Sequence, residues 1–169
     1  MFKIQVCDAA SALIKIKTEF PTKIVSLLDN IDFPHFGENH LLLEITDTNL
    51  GTTGLLLTDT RPPVIPEMHH INEFLSHTRE LTESDYVLVH CYMGRSRSPA
   101  AAIAICIHNG MHWLDAFHHI LNIRPEMIPN YRMIRLIDER FYLEGELERY
   151  FMYWLYQQKN IPIALILGS

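Results

Sequence analysis

Val89-His90-Cys91-Tyr92-Met93-Gly94-Arg95-Ser96-Arg97-Ser98 is the stretch that decides how the rest of the chain is read. An apolar run from Tyr86 to Val89 leads in, and a small-residue helical pattern from Pro99 to Ile107 leads out. Strand, tight loop and helix N-terminus in that order aim backbone N–H groups at an anion. Cys91 is a nucleophile only as its thiolate. Loop amides, the Arg97 guanidinium and the positive end of the following helix would all stabilise that anion. Gly94 relieves a bend, or lets the main chain approach a bound group closely. Arg97 offers a planar fork for two oxygens of an oxyanion, which Lys cannot match. Ser98 is expected as the helix N-cap, with Pro99 at the first helical position. The Ser98 hydroxyl is also placed to steady a departing Cys91 thiolate. A Cys beside a strand is more commonly a small core residue, but two arginines and a histidine within one turn do not suit a core.

The pattern His90-Cys91-x5-Arg97-Ser98, ending Gly94-x-Ser96-Arg97-Ser98, resembles the active-site loop of the cysteine-dependent protein tyrosine phosphatase superfamily. Within it, the short chain is similar to the small dual-specificity branch and its bacterial relatives. Arg124-Pro125 followed by Pro129-Asn130 resembles the segment that follows the catalytic helix in such phosphatases, where the Asn braces the loop. The resemblance spans about residues 23 to 142. It implies a phosphomonoesterase working through a cysteinyl-phosphate, with Cys91 as nucleophile. Arg97 and the amides of Tyr92, Met93, Gly94, Arg95, Ser96 and Arg97 would hold the phosphoryl oxygens, and His90 and Asn130 would order the loop. No metal or other cofactor is expected. The implied partner is a phosphorylated protein or peptide.

The reaction also needs a proton donor for the leaving oxygen, and two residues compete for that role. Asp47 closes the strand-like run His40–Thr46, so that Thr22–Asp29 and His40–Asp47 reproduce the family's order of strand, connection, strand and Asp. Asp59 closes Leu55–Thr58 and lies 32 residues before Cys91, a separation similar to the family's. Spacing favours Asp59, but strand order is given the greater weight, so Asp47 is the expected donor and Asp59 the alternative. A different class of function also stays open: a phosphate- or phosphopeptide-recognition module with weak catalysis. A sulfur- or arsenate-handling cysteine enzyme ranks below both, because Cys106 lies about two and a half helical turns past the loop, too far to resolve Cys91.

The rest of the chain reads as one α/β domain over residues 1–169, with a central, mostly parallel sheet flanked by helices. Strands are expected at Phe2–Cys7, Lys23–Asp29, His40–Asp47 and Tyr86–Val89, with a short helix or turn at Ala9–Lys17. Thr48–Ile65 reads as a long loop containing a short strand at Leu55–Leu57, and loops of that length are commonly functional. Pro66 is expected to open a helix carrying Met68, Ile71, Leu75 and Leu81 on one stripe. Further helices are expected around Trp113–Leu121, after Asn130, and over Glu146–Gln157.

Composition narrows the surroundings. A net charge of −6 without a basic cluster argues against nucleic acid. Three cysteines with no Cys-x-x-Cys pair argue against a disulfide framework and for a reducing compartment, with Cys7 and Cys106 as inert core residues. Neither a signal-like apolar stretch nor a membrane-length run is present, and Ile161–Leu167 is too short to span. The expectation is a cytoplasmic protein away from the membrane; oligomeric state is not legible. Ten histidines invite a metal site, but His69-His70 and His118-His119 are helix neighbours splayed about 100° apart, which is not ligand spacing.

Overall fold

In the computed structural model, residues 1–30, 32–48 and 62–159 are described. Among these residues four strands, β1 (Lys3–Asp8), β2 (Lys23–Leu28), β3 (His40–Glu44) and β4 (Tyr86–Cys91), form one parallel sheet in the order β1-β4-β2-β3. Every residue of β4 is buried, as a central parallel strand covered on both faces requires. Val87, Leu88 and Val89 each contribute roughly 1.5–3 kcal/mol by leaving water.

Among the described residues six helices pack on the sheet or on one another: α1 (Ala9–Glu19), α2 (Met68–His77), α3 (Arg97–His108), α4 (Trp113–Ile123), α5 (Tyr131–Arg140) and α6 (Glu146–Lys159). Alternation along the strands sorts the core into two sides. Val25, Leu27, Val87, Val89 and Cys91 face the side packed by α2 to α6. Cys7, Ile24, Tyr86 and Leu88 face α1, with Phe33 and Phe36 closing that side. The carboxylates of Asp8 and Asp138 bind helix N-termini, where free N–H groups and the dipole favour a negative charge. Asp8 accepts from Ser11 N at 2.8 Å at the start of α1. Asp138 of α5 accepts from Gly145 N at 2.7 Å and Glu148 N at 3.1 Å at the start of α6.

Several boundaries differ from the sequence reading. Helix α3 begins at Arg97 with Ser96 as N-cap, because the Ser98 hydroxyl is turned toward Cys91. Pro99 is therefore the third helical residue, where its missing N–H still costs no intrahelical bond. Helix α2 starts at Met68, not Pro66, behind a reciprocal cap between Glu67 and His70. Leu81 lies past its end yet packs on the same core. Strands β2 and β3 stop before Asp29 and Asp47, which leaves both carboxylates on loops. The segment Leu55–Leu57, Asp59 and Ile161–Leu167 fall outside the described residues. Thr46 and Val64, on either side of residues 49–61, are tied by Thr46 N donating to Val64 O (2.8 Å) and Val64 N to Thr46 Oγ1 (3.0 Å).

Candidate active site

The carboxyl ends of the four parallel strands meet at one edge, the place where open α/β sheets bind ligands. Asp8 ends β1, Asp29 follows β2, Asp47 follows β3 and Cys91 ends β4. From Cys91 the chain makes the tight loop Tyr92–Ser96 and enters α3. Cys91 is buried at its base, and the Ser98 hydroxyl donates to its Sγ at 3.1 Å. Tyr92 and Met93 project into solvent at 70% and 60% exposure.

The loop carbonyls are held from outside, one after another. Tyr92 O accepts from Ala9 N (3.2 Å). Met93 O and Gly94 O accept from Arg124 Nη2 (3.3 Å) and Nε (3.1 Å). Arg95 O accepts from Ile128 N (2.8 Å), and Ser96 O from Asn130 N (3.1 Å). In a trans peptide unit the N–H of the next residue points opposite to the carbonyl. Five outward carbonyls therefore turn the amides of residues 93 to 97 the other way, into the loop. Arg95 braces the same segment by donating from Nε to Glu126 O at 3.2 Å. Gly94 makes the turn with φ +69°, packed against the Cys7–Asp8 backbone.

Arg97 is buried, and its fork is placed by the neighbouring strand ends. Nη1 donates to Ile45 O at 2.5 Å and Nη2 to Asp29 Oδ2 at 3.1 Å. Nε has no hydrogen-bond partner among the described residues and lies 3.8 Å from Asp47 Oδ2. The other oxygen of Asp47 accepts from Ser96 Oγ (2.7 Å) and from Asn130 Nδ2 (2.9 Å). Asp47 is thus brought to the loop, whereas Asp59 lies outside the described residues. Asn130 serves four groups at once: the loop through its N–H, Asp47 and Thr48 O (3.3 Å) through its amide nitrogen, and the first turn of α5, where its Oδ1 accepts from Met133 N at 3.1 Å.

His90 is expected to order the loop by a hydrogen bond. Alternation on β4 puts its ring on the face opposite the Cys91 side chain, where it meets Ser26 of β2 and is also acted on by the Cys91 main chain. Burial pushes His90 down to about 4, so the ring is neutral near pH 7. Burial holds Cys106 up at about 12; burial and then the Asp8 carboxylate do the same for Cys7. Both are therefore buried thiols held in their protonated form near pH 7. Asp29 and Arg124 were missed as site residues. A carboxylate closing the strand-like run Lys23–Asp29 was the available signal for the first. The second stood in the quoted Arg124-Pro125 pair without a role.

This architecture is the fold of the cysteine-dependent tyrosine phosphatases in their dual-specificity-like form. Human DUSP28 superposes with a TM-score of 0.61 at 18% identity, over 83% of this chain and 90% of that one. DUSP15 gives 0.61 at 20%, over 90% and 92%. The human tyrosine phosphatase-like serine/threonine/tyrosine-interacting protein gives 0.53 at 23%, over 79% and 85%. No family model matches the chain, and no curated protein matches it by sequence. Among the described residues no helix is long and apolar enough to cross a membrane.

Proposed function

We propose that the chain is a metal-independent phosphomonoesterase acting on phosphorylated protein or peptide, by way of a cysteinyl-phosphate. The observation that carries this reading is the run of five carbonyls held outward from Tyr92 to Ser96, which turns the amides of the loop after Cys91 inward, with Arg97 opening the helix that follows. Preorganised donors of this kind stabilise the charge of a transferring phosphoryl group without reorganising during the reaction. The Cys91 thiolate attacks phosphorus; the bond to the leaving oxygen breaks as Asp47 gives that oxygen its proton. Water then attacks the cysteinyl-phosphate while Asp47 takes its proton, and the S–P bond breaks toward a thiolate that meets the Ser98 hydroxyl. Asp47 is preferred to Asp59 because its carboxylate lies beside Ser96 and 3.8 Å from Arg97. A reducing, cytoplasmic setting suits the thiolate.

Hydrolysis of para-nitrophenyl phosphate in chelator and reductant tests the reading. Wild type turns over, and Cys91→Ser loses on the order of 10³-fold or more while keeping its fold. Near-wild-type turnover in Cys91→Ser would sink the mechanism. With a poor leaving group, Asp47→Ala should cost roughly 10²–10⁴-fold, and Asp59→Ala little; the reverse order would move the acid to Asp59. One observation favours a recognition module instead. Asp47 is bonded to Ser96 and Asn130 at once, a carboxylate committed to structure. That reading predicts phosphopeptide protection against thermal unfolding with no turnover.

A further inference from the structure

On the sheet face opposite Cys91, three buried polar side chains from three strands touch in a row. Ser26 Oγ lies 2.6 Å from His40 Nε2 and 2.5 Å from His90 Nε2. Register explains the contact: Ser26 is the direct partner of His90 across β2 and β4, and His40 reaches over from β3. Phe33 packs on the His90 ring at 4.7 Å, and His35 stacks on His40 at 5.0 Å.

The direction of this row is fixed by a group that can only donate. Phe36 N–H gives its hydrogen to His40 Nδ1 at 3.1 Å, so Nδ1 is unprotonated. Burial, with His35 and His77 adding to it, holds His40 at about 4, so the neutral ring carries its proton on Nε2. That N–H donates to Ser26 Oγ, and the one hydroxyl hydrogen of Ser26 is left for His90 Nε2. A neutral His90 that accepts at Nε2 bears its proton on Nδ1. Nδ1 has no partner of good geometry among the described residues, and the main-chain acceptor acting on the ring is that of Cys91. The other tautomer would leave His90 Nδ1 a bare buried lone pair with no donor to meet it among the described residues.

We infer that Ser26 and His40 are positioning residues which, through a one-way hydrogen-bond relay begun at the Phe36 amide, lock His90 as its Nδ1–H tautomer and aim that N–H at the Cys91 main chain. This deepens the phosphatase reading and rests on it for the kinetic part only. The relay orients the residue that carries the Cys91 thiolate and touches no substrate.

Long-range proton–nitrogen NMR on the wild-type imidazoles is the first test, and it needs neither a variant nor turnover. The expected spectrum shows His90 protonated at Nδ1 and His40 at Nε2; His90 protonated at Nε2 would overturn the relay. The second test follows iodoacetate alkylation of Cys91 against pH, in wild type and Ser26→Ala, with unfolding temperature as the fold control. Ser26→Ala should move the alkylation midpoint upward and lower kcat for para-nitrophenyl phosphate about tenfold with KM little changed, a loss typical of removed orienting partners. His40→Leu should behave likewise, and His40→Gln, which keeps a donor toward Ser26, should recover most of the loss. An unchanged alkylation profile in folded Ser26→Ala would sink the proposal. Wild type that alkylates and shows the expected tautomers but hydrolyses nothing would instead overturn the phosphatase reading and leave the relay standing.

Discussion

At Gly94, an added Cβ would lie 2.4 Å from the Cys7 carbonyl carbon and 2.6 Å from Asp8 N, at a φ of +69°. Both obstacles are backbone held in the β1–β4 ladder, so neither can move aside cheaply. Gly94→Ala should therefore cost about 1–3 kcal/mol in backbone strain alone, with the clash added. Thermal unfolding should fall by several degrees, and kcat/KM should drop at least about tenfold as Gly94 and its outward carbonyl shift. Wild-type values for both would mean that the loop has room the packing does not show. The residues whose identity and spacing point to the proposed chemistry, Cys91, Arg97, Ser98 and Asn130, were legible in the chain. The partners of Arg97 were not. Ile45 offers only a carbonyl, which any residue would offer, and Asp29 stands 68 positions away. Only the fold reveals that pairing.

Among the elements, the sheet is joined crosswise by the His40–Ser26–His90 contact, which ties stability to pH. Both histidines are held at about 4 by burial, against about 6.5 in an unfolded chain. As pH falls below 6.5 the unfolded state binds protons first, so the folded state loses stability progressively down to about pH 4 and is insensitive above 6.5. Each ring contributes at most about 3 kcal/mol over that window, and His70, His77 and His108 shift in the same direction. Urea midpoints measured from pH 7.5 to 4.5 should decline steadily, and less steeply in His40→Leu; a flat wild-type profile would contradict the burial of these rings. Element order and the strand–loop–helix around Cys91 were readable from apolar runs and punctuating residues. The start of α3 was not, because the choice between Ser96 and Ser98 as cap depends on which hydroxyl Cys91 takes. Nor does the sequence say that His40 and His90 share a face, since that follows from strand order.

Across the whole molecule, the three cysteines have no path to one another. Cys7 pairs in register with His90, and Asp8 with Cys91, so Cys7 and Cys91 point to opposite faces of the sheet. Cys106 lies down α3 from the loop. Side chains pointing apart cannot be bridged without moving the backbone. Peroxide should thus drive Cys91 up the oxidation ladder with no intramolecular disulfide to arrest it. Peptide mass mapping after peroxide should find sulfinic or sulfonic acid on the Cys91 peptide and no cross-linked pair. A Cys7–Cys91 cross-link would require the sheet edge to open.

The clamps on the loop carbonyls also have a place in time. Arg124, Ile128 and Asn130 hold the carbonyls of Met93 through Ser96, and all three emerge from the ribosome some thirty residues after the loop they grip. A nascent chain that has reached Ile123 holds every atom of the cysteine, arginine and serine, yet lacks the grip that turns those peptide units. The loop after Cys91 is therefore set late in synthesis, once the sheet and most of its cover exist to enclose it, and the chemistry proposed for Cys91 would wait until then.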